Sequence, residues 1–219
     1  MLRRGARPRR DRRGHRAQPS DPAGLPPQSR SLRRGGAGRA AQGQGSGQHP
    51  HPAWPEGMSW VLHRVDDRLI HGQVVIAWGH RLNPRTIWVV DDASAANSWE
   101  RDLLQSAAPG VEVRVLTVAE AAARYGEVAA VQGPAFLVVR DLATARALVE
   151  AGAAIPSFNL GGLHYAPGKE KVNEYIYLDE SDRSAARALE ARGVELVVQD
   201  VPASRAQRLG SLDPESAAS

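Results

Sequence analysis

Six consecutive residues, Asp66-Asp67-Arg68-Leu69-Ile70-His71, put two carboxylates, a guanidinium and an imidazole beside one another, and Gly72 follows. A neutral imidazole is a nucleophile near pH 7. Arg68 offers a planar fork of donors suited to phosphoryl oxygens. Asp66 or Asp67 can orient His71 or Arg68 by hydrogen bonding, and Gly72 lets the backbone approach closely. Phosphoryl transfer depends mostly on positioning and charge stabilisation, so a nucleophile, an arginine and backbone N–H groups can suffice without metal. The plainer alternative is that His71 caps or packs at a loop while its charged neighbours are solvated. Spacing alone does not choose.

The elements around this segment must hold it in place. Trp60–Val65 reads as a strand and Asp66–Gly72 as a loop, followed by a helix in which Val74, Trp78 and Leu82 share one face. Unpaired N–H groups at that helix start would face a group carried on His71, and its positive end disfavours imidazolium. Thr86–Val90 is a continuous apolar run, as in a strand covered on both faces. Asn97 offers a helix cap, with Trp99, Leu103 and Ala107 expected along one face. Val111–Leu116, Ala135–Val139, Ile155–Leu160, Val172–Leu178 and Val194–Gln199 read as further strands. Helices are expected after Thr117, from Leu142 to a stop at Gly152, and from Ser181 to Arg192. Residues 210–219 are expected to fray.

Strands alternating with short helices predict an α/β fold, a doubly wound and mainly parallel sheet with helices on both faces. Ligands of such sheets lie beyond the carboxyl ends of the strands, where the loop after the first strand sits.

Composition divides the chain in two. Residues 1–57 carry twelve Arg against three acids (Asp11, Asp21, Glu56), a charge of +9. Residues 58–219 carry 16 basic and 21 acidic side chains, a charge of −5. The first segment is rich in Arg, Gly and Pro, and it has too few large apolar residues to offset its chain entropy, so a disordered tail is expected. Met58 is the expected natural start of a single domain covering 58–219. Nucleic acid is not an expected partner, because the acidic domain does not continue the basic surface.

The chain has no cysteine, which excludes disulfides, thiolate metal sites and cysteine nucleophiles. No apolar run approaches the length of a membrane span. Neither a Gly-x-x-x-x-Gly-Lys-Ser/Thr loop nor Gly-x-Gly-x-x-Gly is present, which argues against nucleotide-fuelled kinases and dinucleotide enzymes. Metal-ligand spacing is also missing, so no metal and no cofactor are expected. Asp91-Asp92 after a strand could serve Mg²⁺-dependent phosphotransfer, but reads more simply as a strand-end turn. His63 and His80 are expected to be structural or exposed, and His164 to pack in or line a glycine-rich loop.

The stretch Arg64–Val74 closely resembles the active-site loop of the mannose/fructose/sorbose-type IIB component of the phosphoenolpyruvate-dependent sugar phosphotransferase system. Val89-Val-Asp-Asp92 with Asn97 resembles that family's second strand and turn. Asn159-Leu-Gly-Gly-Leu-His164 is similar to its Asn-x-Gly-Gly-x-His loop, and Gln199 with Pro202 to the end of its last strand. Leu160 and Leu163 are mild departures that remove no chemical group. The resemblance covers essentially all of 58–219.

The resemblance implies a protein-Nπ-phosphohistidine–sugar phosphotransferase. His71 would take a phosphoryl group from a phosphorylated IIA protein or domain. It would pass that group to a hexose-type sugar entering through membrane components IIC and IID. Arg68, Gly72 and Gln73 would bind the phosphoryl group, with Asp66 and Asp67 in support. Asp91, Gly161, Gly162 and His164 are candidates to line the site. A homodimer and a cytoplasmic location at the membrane transporter are also implied. Two rival readings are a regulatory histidine phosphoacceptor not dedicated to transport and a nucleic-acid-associated module using the basic tail.

Overall fold

The computed structural model describes residues 60–130 and 133–217. The expected tail, 1–57, and Met58 lie outside the described residues. β1 (Trp60–Asp66), β2 (Thr86–Val90), β3 (Glu112–Leu116), β4 (Ala135–Val139), β5 (Ser157–Gly162), β8 (Glu195–Val198) and the short β9 (Gln207–Arg208) form one sheet. Its order is β3-β2-β4-β1-β5-β8-β9. Every pairing is parallel except that of β8 with β9. The expected doubly wound, mainly parallel sheet is therefore present.

Alternation along the strands explains why both faces are apolar. In β2, Trp88 and Val90 join one core cluster while Ile87 and Val89 join the other. The first cluster is closed by α4 (Val118–Arg124), α5 (Leu142–Glu150) and α6 (Glu180–Glu190), through Ala121, Leu148 and Leu189. The second is closed by the helix after His71, through Val74 and Trp78, and by α3 (Ser98–Ser106), through Leu104. With both faces covered, strands read as uninterrupted apolar runs.

β1 lies between β4 and β5 at the centre of the sheet. The chain leaves β1 toward β2 on one side and later returns to place β5 on the other. In open α/β sheets such a reversal marks where ligands bind, here beyond the carboxyl end of β1.

Several local expectations need correction. Asp66 is the last residue of β1 rather than a loop residue. The helix after His71 begins as a π-helical turn, Gln73–Trp78, and becomes α-helical only in α1, Gly79–Leu82. In α3 the buried face carries Leu104, with Ala108 just beyond, while Trp99 (71 % exposed), Leu103 and Ala107 face outward. Both stripes have helical spacing, and the position of β2 and β3 decides which one packs.

The expected strand Val172–Leu178 reduces to a hairpin of β6 (Glu170–Lys171) and β7 (Tyr177–Leu178). Asn173 Oδ1 accepts from the backbone of Tyr175 and Ile176 there and folds the chain into a turn. α2 (Asp92–Ala96) was not anticipated; Asp91 caps it. Residues 210–217 are folded rather than frayed, and residues 218 and 219 lie outside the described residues. α7 (Leu209–Leu212) leads into a 3₁₀ turn, and the buried Asp213 accepts from Arg183 Nε at 3.0 Å.

Candidate functional site

β1 carries a charged pair toward its carboxyl end. Arg64 and Asp66 are both fully buried, two residues apart on the same side of the strand. Asp66 Oδ2 accepts from Arg64 Nη2 at 2.8 Å and from Nε at 3.2 Å. Arg64 Nη1 reaches Asn159 Oδ1 and the Gln199 carbonyl, so each nitrogen of the buried guanidinium has a hydrogen-bond partner. Burial pulls the Arg64 pKa down, against the opposing pull of Asp66.

The glycines of β5 make that pair possible. A Cβ on Gly161 would fall 1.7 Å from Arg64 Cζ, inside the guanidinium. A Cβ on Gly162 would fall 3.3 Å from Asp66 Oδ1. Gly161 and Gly162 thus act on the site by making room for Arg64 and Asp66.

After β1 the chain turns sharply. Leu69 N–H donates to the Asp66 carbonyl at 2.9 Å, and Leu69 adopts φ 54, the left-handed region that costs a non-glycine residue about 1 kcal/mol. Leu69 and Ile70 are both buried, which holds the turn. The turn brings His71 back over Asp66. His71 Nδ1 lies 3.3 Å from the Leu69 carbonyl, and the buried Nε2 lies 3.8 Å from Asp66 Oδ2. The side chain is 17 % exposed.

Burial is the leading cause that lowers the His71 pKa. Arg68 and Arg64 act in the same direction, while Asp66 and the Leu69 carbonyl oppose them. The direction favours the neutral ring, with desolvation as the main source.

Arg68 leans on Asp66 as well. Asp66 Oδ1 accepts from its backbone N–H at 3.2 Å and from Nε at 3.4 Å, with 41 % of the side chain exposed. One carboxylate thus gathers Arg64, Arg68 and His71. Gly72 starts the helix at φ −52, and a Cβ there would meet open space, so packing gives it no reason to be glycine. Gln73 opens the π-helical turn; its side chain lies outside the described residues.

Asp67 faces another way. Its oxygens accept the His164 backbone N–H at 2.7 Å and lie 2.7 Å from His164 Nδ1. Asp91 is drawn in at one remove by Arg140, a residue that sequence reasoning missed. Arg140 donates to both oxygens of Asp91 at 3.1 Å, to Glu100 at 3.1 Å and to the Asp67 carbonyl at 3.3 Å. Asp91 is therefore a helix cap held by an ion pair, while Asp92 accepts from the Val118 N–H. Among the described residues no group of three or more His, Asp or Glu could hold a metal ion.

Arg64 was missed as a site residue as well. Its signal was a charge inside an otherwise apolar strand, with Gly161-Gly162 to accommodate it. For Arg140 the signal was a cation directly after β4, the strand beside β1. His63 is buried in β1 against the Tyr125 hydroxyl at 2.8 Å, and His80 is exposed on α1. Neither belongs to the site.

Residues 60–214 match the family described as PTS system sorbose subfamily IIB component. The chain belongs to that family. It is 40 % identical over 157 residues to the PTS system mannose-specific EIIAB component of Escherichia coli (strain K12), covering 69 % of this chain and 49 % of that protein. The chain thus spans about half the length of that mannose-specific relative. It is 32 % identical over 151 residues to the N-acetylgalactosamine-specific phosphotransferase enzyme IIB component 1 of the same strain, covering 68 % of this chain and 95 % of the relative. The crystal structure of the IIBSor domain of the sorbose permease from Klebsiella pneumoniae superposes with a TM-score of 0.67 at 31 % identity, over 73 % of this chain and 99 % of that one. Membership in this IIB family implies a part in sugar phosphotransfer.

Proposed function

We propose that this IIB protein is a phosphoryl carrier, a protein-phosphohistidine–sugar phosphotransferase in which His71 receives the group from a phosphorylated IIA partner and passes it to a sugar. The observation that carries the reading is the placement of His71. It sits at the carboxyl edge of β1, with Arg68 beside it and Asp66 Oδ2 3.8 Å from Nε2. A lowered pKa keeps the ring nucleophilic. Arg68 and the N–H groups at the start of the following helix supply positive charge for phosphoryl oxygens.

The acceptor nitrogen is Nδ1, the Nπ position. Nε2 is buried against Asp66, where an anionic group would meet a carboxylate. An N–H on Nε2 instead points its proton at Asp66 and leaves the Nδ1 lone pair for attack, once the ring turns off the Leu69 carbonyl.

The sugar is of hexose type, arriving through IIC and IID membrane components, and the protein works at the cytoplasmic side of that transporter as a homodimer. Among the described residues no helix is long and apolar enough to cross a membrane.

The test is incubation with phosphoenolpyruvate, the general phosphotransfer proteins and a cognate IIA. One phosphoryl group should be added, stable in alkali and lost in acid as an N–P bond requires. His71→Ala should abolish labelling while leaving the unfolding transition in place. Mass spectrometry placing the group on another residue would overturn the assignment.

A further inference from the structure

The pair formed by Asp67 and His164 stands apart from the contacts of His71. The carboxylate grips His164 twice, through the backbone N–H and through Nδ1, both at 2.7 Å. Asp67 is itself held, because its N–H donates to the Gly162 carbonyl at 3.0 Å and its carbonyl accepts from Arg140 at 3.3 Å. A ring fixed in this way donates Nδ1–H to the carboxylate and carries its lone pair on Nε2, the arrangement of an oriented general base. With 44 % of its side chain exposed, His164 is open to an incoming substrate.

Its position ties it to the phosphoryl site. A Cβ on Gly162 would lie 3.1 Å from His164 Cε1 and 3.3 Å from Asp66 Oδ1, so the ring and that carboxylate pack around one point. The other oxygen of Asp66 is the one 3.8 Å from His71 Nε2. His164 and Asp66 thus share the space over Gly162, and His71 lies near the same carboxylate.

The two halves of the proposed reaction differ in their proton demand. When His71 accepts a phosphoryl group, the attacking nitrogen bears no proton and needs no base. When a sugar hydroxyl takes the group, a proton must leave that oxygen.

We propose that His164, oriented by Asp67, is the general base for the second half. The inference rests on the carrier function assigned to His71. The N–P bond breaks with its electron pair returning to His71, while the hydroxyl oxygen forms the new O–P bond. The hydroxyl proton passes to His164 Nε2, giving an imidazolium opposite Asp67 that then releases its proton to water.

The experiment separates the halves. The full chain and its His164→Asn variant, whose side-chain amide keeps a donor for Asp67, are labelled with radioactive phosphate through IIA. Each is then chased with mannose, sorbose or N-acetylgalactosamine on membranes carrying the corresponding IIC and IID. The combination that discharges the wild-type protein is used for comparison. Labelling of His164→Asn should proceed at the wild-type rate, and discharge to sugar should slow by at least about tenfold. Free imidazole should restore part of the discharge in His164→Gly. Wild-type discharge by His164→Asn would overturn the inference alone. Equal slowing of both halves would make His164 a brace for the loop and overturn it too. If the wild-type protein took no label on His71, the carrier function would fail, and this inference with it.

Discussion

Arg64 Nη2 and Asp66 Oδ2 are 2.8 Å apart, and neither side chain has any exposure to solvent. Two buried charges are costly unless every donor and acceptor is matched. Here Asn159, the Gln199 carbonyl and the Arg68 N–H add to the contacts between the two, so each nitrogen of Arg64 and both oxygens of Asp66 are hydrogen-bonded. Because Arg64 offsets much of its charge, Asp66 can stand near His71 without outweighing the burial that keeps the ring neutral. The charged pair is fold and site at once.

Opposite shifts of the His71 ring follow from this arrangement. Asp66 raises its pKa and Arg68 lowers it. Asp66→Asn should therefore move the titration of His71 further down, and Arg68→Ala should move it up. Proton NMR of the imidazole C–H signals reads both. In the unmodified protein, phosphoryl acceptance should hold from neutral pH down to the ordinary imidazole value of 6.5 and fall only below it. Movement of the two variants in the same direction would remove Asp66 and Arg68 as the charges that tune His71.

Two glycines should separate folding from chemistry. Gly161→Ala drives a methyl into the buried guanidinium and should cost about 3 kcal/mol of stability, as breaking a buried ion pair does. Gly72→Ala sits in helical backbone with open space around it and should alter stability by less than about 0.5 kcal/mol. Urea unfolding measures both. Any loss of phosphoryl acceptance in Gly72→Ala would then report on the space beside His71 rather than on folding.

A third prediction concerns acid. His63 is fully buried beside Tyr125, and burial lowers its pKa to about 3 from 6.5. Between those values the unfolded chain binds a proton that the folded protein does not, so stability falls as pH falls. The contribution is complete above pH 6.5 and is lost progressively below it, by about 2 kcal/mol at pH 5. His71, also lowered, adds to the same trend. Replacing both partners, His63→Phe with Tyr125→Phe, should flatten the loss in urea unfolding measured at pH 7 and pH 5. An unchanged slope in that variant would show that His63 does not titrate as its burial demands.

Removal of residues 1–57 should leave the domain at work. The composition break before Met58 motivates this, as does the family match beginning at residue 60. A chain from Met58 to Ser219 should unfold within about 2 °C of the full chain and accept phosphate at the same rate. A large drop in either would make the arginine-rich segment part of the working protein.

The sheet was legible because its strands are buried on both faces. Thr86–Val90 and Ala135–Val139 carry no competing signal and appear with the expected bounds. The histidine loop was legible because its chemistry is concentrated in Asp66–Gly72. Long-range partners were not. That Asp67 would turn to His164, 97 positions away, depends on the register between β1 and β5. Which stripe of α3 packs was not legible, because Trp99 and Leu103 have the spacing of a core face, and only the seating of the helix on the sheet shows that Leu104 is buried instead.

The last prediction isolates what Arg68 contributes. Its backbone N–H and Nε both approach Asp66 Oδ1, while His71 Nε2 approaches Oδ2, and 41 % of its side chain is exposed. A residue so exposed contributes little to stability through its ion pair. Its value should lie in meeting phosphoryl oxygens with a planar fork. Arg68→Lys keeps the charge but not the fork and should slow phosphoryl transfer by about tenfold, the equivalent of ~1.4 kcal/mol. Arg68→Ala loses both and should be slower still, and both variants should unfold within about 1 kcal/mol of the wild-type protein. Rapid-quench measurement of the transfer from IIA, beside urea unfolding of each variant, provides the comparison. Transfer at the normal rate by Arg68→Ala would remove Arg68 as the phosphoryl-binding group. Strong and equal destabilisation by both changes would instead make Arg68 a structural partner of Asp66.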